Sequence, residues 1–177
     1  FNQLPPELMQ SMKIASCLGC QMYRGTIEAL DATRKVLSCC MLDQLELAVK
    51  EGIMERAGPV YPFTHDILHQ TIYGLIPDSN RGALPKTIGL SLLAAASSDP
   101  AIHMLAVDQI NVFCRESAPS TAEERALIAT SNAQAAKLAL AESNFGRGKS
   151  VQRRRSPRVV WHSVTHIFSS SISSSIH

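Results

Sequence analysis

Four stretches carry residue types that could do chemistry. Thr64-His65-Asp66 sits where an alternating apolar run, Val60 to Thr64, gives way to a helical period. From His65 to His69, His-Asp-Ile-Leu-His repeats the spacing that puts two imidazoles on one helix face, as in the zinc-protease pattern His-Glu-x-x-His. Asp66 is a methylene shorter than the glutamate base of that pattern, and no third ligand is evident, so a metalloprotease is disfavoured. Cys17-x-x-Cys20 with Cys39-Cys40 supplies enough thiols for a zinc ribbon. An adjacent pair, however, lacks the two-residue offset by which knuckle ligands converge on one metal, and buried structural thiols are expected instead. Gly146-Arg-Gly-Lys-Ser150 has the look of a phosphate loop, but the position where its first glycine belongs is Ser143, and it follows a helix rather than a strand. The residues by themselves therefore assign no catalytic residue and no metal ligand.

The elements that would position these residues read in order. Leu4-Pro5-Pro6-Glu7 opens a helix with a buried stripe of Leu8, Met12, Ala15 and Leu18, and Gly19 closes it. Thr26–Ala32 is a short second helix, and Leu42–Lys50 a third, with Leu42, Leu45, Leu47 and Ala48 inward. Ile53–Arg56 and Val60–Thr64 pair as a hairpin around Ala57-Gly58-Pro59, with Tyr61 and Phe63 in the core. A fourth helix follows, with Thr64 as its N-cap and Ile67, Leu68, Ile72, Leu75 and Ile76 as one stripe, and Tyr73 is expected in the core. Leu84, Ile88, Leu92 and Leu93 mark a fifth, in which Pro85 predicts a kink or a start near that residue. Ser98-Asp99-Pro100 starts a sixth, with Ile102, Leu105, Ala106, Ile110 and Phe113 on one face. Ser120 or Thr121 caps a seventh, with Leu127, Ala135, Leu138 and Ala141 apolar and a turn near 132–135. Three helices and a hairpin are the plan of a winged helix, so the expected fold is mainly α. Residues 1–76 form a winged-helix domain, 77–145 an α-helical repeat-like region, and 146–177 a disordered basic and serine-rich tail.

Charge separates the tail from the body. Residues 1–145 hold 11 Lys and Arg against all 15 Asp and Glu, and residues 146–177 hold the other 6 Lys and Arg with no acid, so the net +2 arises as −4 and +6. Nucleic acid is therefore expected to meet the tail non-specifically rather than the body. The third helix carries Asp43, Glu46 and Glu51 against Lys50, which repels phosphate. No apolar run approaches the roughly 20 residues of a membrane span, and no secretory signal precedes the five cysteines, so a reduced cytoplasmic setting is expected. The chain begins at Phe1 and reads as a piece of a longer protein.

The segments Leu4-Pro5…Ala15-Ser16-Cys17-Leu18-Gly19, Phe63-Thr64-His65-Asp66…Gln70…Tyr73-Gly74-Leu75-Ile76-Pro77 and Arg81…Leu84…Ile88-Gly89…Leu92-Leu93 resemble signalling NTPases of the STAND class. The likeness covers roughly residues 1–145 and is greatest to AAA-type predicted ATPase modules fused to serine/threonine kinases, hybrid histidine kinases or cyclases. It implies an upstream P-loop ATPase core as the partner of this chain, a winged-helix domain at 1–76, and an adaptor at 77–145 leading into tetratricopeptide-like repeats that bind protein partners. It also implies that His65, in a Met-His-Asp-like motif, contacts ADP and helps hold the inactive state; ATP and ADP belong to the intact parent, and this fragment alone would carry neither cofactor nor catalysis. Thr64 replaces the motif's Met, Pro85 interrupts a helix that usually reads through, and the chain has no P-loop. Read from the residues alone, His65 is a histidine at a strand-to-helix corner that bonds backbone. Two other functions stay open: a winged-helix nucleic-acid binder using its basic tail, and a helical protein-interaction scaffold.

Overall fold

The computed structural model describes residues 4–33, 35–95, 99–116, 119 and 121–147. It is mainly helical. The elements run α1 Pro6–Leu18, β1 Gln21–Tyr23, α2 Arg24–Thr33, α3 Met41–Lys50, β2 Val60–Pro62, α4 Asp66–Gly74, a single 3-10 turn Asp78–Asn80, α5 Ala83–Ala95, α6 Pro100–Glu116 and α7 Ala122–Arg147. By its contacts the chain divides into residues 1–138 and residues 139–177. The second unit is described only as far as residue 147, where α7 ends, so the expected tail lies outside the described residues beyond 147.

Residues 1–138 share one core. Leu8, Met12, Ile14 and Ala15 of α1, Ile27 and Leu30 of α2, and Met41, Leu45 and Ala48 of α3 close on Met22, Met54, Tyr61 and Phe63 around the small sheet. Ile72, Ile88, Leu92 and Ala106 belong to the same cluster, so the core continues past residue 76 into α5 and α6. The α5–α6 crossing is close because Gly89 has no side chain. A Cβ there would stand 2.7 Å from Ile110 Cγ1 and 2.8 Å from the Ala106 carbonyl oxygen.

The sheet has a member that the sequence reading missed. β1 runs antiparallel to β2, with Gln21 opposite Pro62, Met22 opposite Tyr61 and Tyr23 opposite Val60. The expected hairpin lies on the other side of β2 as two bridges, Met54 with Phe63 and Ala57 with Val60, and Gly58 takes a positive φ of 64° in its tight turn. β1 escaped notice because three residues between Gly19 and a helix leave no room for an alternation to show.

Other expectations need correction. The stripe assigned to α4 is only partly inward: Ile72 and Ile76 are buried, but Ile67 is 65% and Leu75 43% exposed. Only α1 packs on this helix extensively, and five residues of helical rotation carry Ile67 away from the side that holds Ile72. Pro85 neither kinks nor interrupts α5, since it falls in the first turn, where no intrahelical N–H is lost. The start near Pro85 is the reading that agrees. Asp99 Oδ1 accepts the Ala101 N–H at 2.9 Å and Thr121 Oγ1 accepts the Glu124 N–H at 3.1 Å, so these residues start α6 and α7. The turn expected near 132–135 is absent, and α7 runs through. Asn132, which suggested it, donates instead to the Ile128 carbonyl at 2.9 Å within the helix. Leu127 and Ala141 are exposed, and among residues 122–141 of α7 the buried positions are Ser131 and Ala135. Tyr61 and Phe63 are buried as expected, while Tyr73 is half-buried.

Candidate functional site

The corner at residues 64–66 is built by the sheet and α4 together. Phe63 donates its N–H to the Cys20 carbonyl at 2.9 Å, and Thr64 donates to the Ile53 carbonyl at 3.0 Å. The Thr64 hydroxyl then donates to the Gly52 carbonyl at 2.9 Å. That bond corrects Thr64 as the expected N-cap: its side chain is spent on the turn after α3, and the helix starts one residue later. His65 takes the N-cap position with extended backbone, φ −144° and ψ 142°, and no side chain caps the helix. Its carbonyl accepts the first amides, Leu68 N–H at 3.0 Å and His69 N–H at 3.4 Å. The His65 imidazole is exposed and bonds no described residue, and Asp66 beside it is exposed in the first turn, where the helix dipole favours its charge. The backbone bond that the residues suggested for the His65 ring is therefore replaced by solvent.

His69 lies one turn on and does different work. Its Nε2 meets the Ser16 carbonyl at 2.9 Å, and its ring stands edge-on to Phe63 with centroids 5.3 Å apart. Gln109 Nε2 donates to the neighbouring Cys17 carbonyl at 3.0 Å. The last turn of α1 has carbonyls without intrahelical partners, and α4 and α6 each satisfy one of them. The two histidines of the zinc-like spacing thus part company, one facing solvent and one facing α1. Among the described residues no group of three His, Cys, Asp or Glu could hold a metal ion.

The cysteines are free thiols rather than a cluster. Burial pushes the Cys17 thiol up to about 12, and burial likewise raises Cys114. Cys20 lies exposed beyond the end of α1. The phosphate-loop look-alike has Gly146 and Arg147 at the end of α7, and its remaining residues, 148–150, lie outside the described residues.

Two constellations were invisible in the sequence. Asp31 of α2 caps α3 from ten residues away: Oδ1 accepts the Met41 N–H at 2.7 Å and Oδ2 the Leu42 N–H at 3.3 Å. A cleft of about 380 Å3 opens between α5, α6 and α7, walled by Leu90, Ile110, Phe113, Leu127 and Ile128. On its rim Lys86 pairs with Glu124, and the Lys86 ammonium sits 4.5 Å over the Phe113 ring. Neither follows from local spacing, because each joins residues that only the tertiary fold brings together. Among the described residues no helix is long and apolar enough to cross a membrane.

Helix α3, the helix a nucleic-acid reading would use, presents its carboxylates rather than a basic face. Asp43 is exposed, and Glu46 accepts the Tyr61 hydroxyl at 2.6 Å and pairs with Arg56 at 3.2 Å. No protein-family model matches the chain, and no curated protein or solved structure matches it either.

Proposed function

We propose that this chain is the regulatory segment of a STAND-type signalling ATPase. In this reading residues 1–76 are a winged-helix domain, residues 77–145 lead into tetratricopeptide-like repeats, and His65 contacts ADP held by an upstream P-loop core. The observation that carries it is the corner: an exposed imidazole, committed to no described residue, at the start of a helix that no side chain caps. A helix N-terminus without a cap offers backbone N–H groups to a phosphate oxygen, and the adjacent imidazole adds a second polar contact. The order helix, short strand, two helices, hairpin agrees with a winged helix. ADP bridging core and corner would favour the closed state by mass action, and loss of the contact would release it.

The test uses the coding region upstream of Phe1 joined to this chain. Replacing His65 with Leu is expected to weaken ADP binding about tenfold, the equivalent of about 1.4 kcal/mol, and to raise signalling output. Unchanged ADP affinity together with unchanged output overturns the proposal. The 177-residue chain by itself is expected to hydrolyse no ATP, and hydrolysis by the pure chain would overturn it equally.

A further inference from the structure

The loop between α2 and α3 brings two thiols and a carboxylate to one depression, and the carboxylate has a structural task. Cys39, Cys40, Ser38 and Asp31 line a hollow of about 120 Å3. Cys40 is exposed and Cys39 half-buried. The Cys40 thiol donates to Asp31 Oδ2 at 3.5 Å, on the same carboxylate that holds the Met41 and Leu42 amides. Cys40 is itself the residue preceding α3, with extended backbone at φ −71° and ψ 119°. The Cys40 thiol and the start of α3 are therefore joined through the Asp31 carboxylate, with Cys39 the next residue along the chain. Met41, Leu45 and Ala48 anchor that helix in the core.

We propose that Cys39 and Cys40 form a reversible thiol–disulfide switch that reacts with low-molecular-weight disulfides and loosens the first turn of α3 when it closes. The exchange is balanced. One protein thiol loses its proton, attacks a sulfur of the small disulfide and forms a mixed disulfide, releasing one small thiolate. The neighbouring thiol loses its proton and attacks the protein sulfur of that mixed disulfide, forming the Cys39–Cys40 bond and releasing the second thiolate. The released thiolates take up the two protons, so the protein is oxidised by two electrons and the small disulfide is reduced to two thiols.

Closure must disturb the cap. The Cys40 sulfur leaves Asp31 to bond its neighbour. The bridged α-carbons, consecutive in the chain and about 3.8 Å apart, lie closer than the roughly 4.4–6.8 Å of ordinary disulfides. The ring therefore bends the peptide that now delivers the chain to Met41, and a bridge so constrained is readily reduced again. Hydrogen bonding from the Asp43 backbone favours the Cys40 thiolate, but desolvation and the Asp31 carboxylate outweigh it and raise the thiol above its ordinary value. The reaction consequently accelerates with rising pH.

The experiment treats the whole chain with oxidised glutathione at alkaline pH and reads two quantities. Intact mass and peptide mapping are expected to show loss of two hydrogens within the peptide containing Cys39 and Cys40. Hydrogen exchange at the Met41 and Leu42 amides is expected to quicken about fivefold, the loss of one typical cap, and to recover on adding dithiothreitol. Cys39→Ser and Cys40→Ser, each small enough to leave the fold intact, should each abolish the loss of two hydrogens, and the remaining thiol can then carry only a glutathione adduct. Glutathione retained as a mixed disulfide, a bridge to Cys20, no reaction at this pair, or closure that leaves the two amides unaltered would each overturn the proposal.

Discussion

Helix α6 is held in opposite ways on its two sides. Toward α5 it packs almost backbone to backbone: Gly89 meets Ala106 and Ile110, and Ile88 and Leu92 are fully buried beside them. Toward α7 it is held by polar groups. Asn111 and Asn132 exchange two amide hydrogen bonds at 3.1 and 3.2 Å, His103 Nε2 meets the Ser131 carbonyl at 3.2 Å, and a cleft of about 380 Å3 separates much of the apolar surface. Burying one aliphatic side chain stabilises by about 1.5–3 kcal/mol, whereas a neutral hydrogen bond contributes about 1 kcal/mol net. The α5–α6 side is therefore expected to be the firmer of the two, with α7 opening before α5.

The largest expected effect tests the tight side directly. Ile88→Ala should destabilise the protein by about 2–5 kcal/mol in urea unfolding, because a fully buried side chain is lost and its neighbours cannot collapse into the gap. A smaller loss, below about 1 kcal/mol, would mean that the crossing is no firmer than the α7 side. Gly89→Ala adds atoms where Ile88→Ala removes them. Its Cβ would fall 2.8 Å from a backbone oxygen that cannot swing aside, so α5 and α6 must separate. A cost of about 1–3 kcal/mol is expected despite the better helix propensity of alanine. A stabilised Gly89→Ala would show that the helices are already apart in solution.

The polar side should respond more weakly and more locally. Asn132→Ala removes the reciprocal amide pair and the bond to Ile128, and leaves Asn111 half-buried without that partner. A loss of about 1 kcal/mol is expected, with faster hydrogen exchange in α7 and none in α5. If exchange in α5 rises equally, the two sides unfold as one unit and the contrast fails.

This contrast also marks what sequence pattern can carry. Among the described residues, apolar spacing located the seven α-helices although α4 and α7 bury only part of their expected stripes, and the starts at Asp99 and Thr121 were legible because capping is local. Ile67 has the same hydropathy as the buried Ile72, and Leu127 is more apolar than the buried Ser131, but the packing that leaves Ile67 and Leu127 exposed is not written in any window of sequence. The corner behaved likewise. A threonine before a helical run is a good cap by composition, yet Thr64 lies within reach of Gly52 and bonds there instead. His65 was legible as a residue at a corner, and its exposure was not. Asp31 and Gln109 had no local signal at all, since their partners lie 9 to 92 residues away.

The smallest expected effect on stability separates the two histidines of α4. His69 satisfies a carbonyl at the end of α1, so His69→Leu leaves Ser16 oxygen without its partner and should cost about 1 kcal/mol. His65 bonds no described residue and is exposed, so His65→Leu should lie within about 0.5 kcal/mol of the parent. Thermal unfolding of both variants at one pH distinguishes them. A clearly destabilised His65→Leu would show that the imidazole already serves the fold, leaving less of it to serve a ligand. A neutral His65→Leu that also weakens ADP in the longer protein would place its contribution in binding alone. In that outcome the histidine that costs the fold least would be the one on which the proposed switch depends.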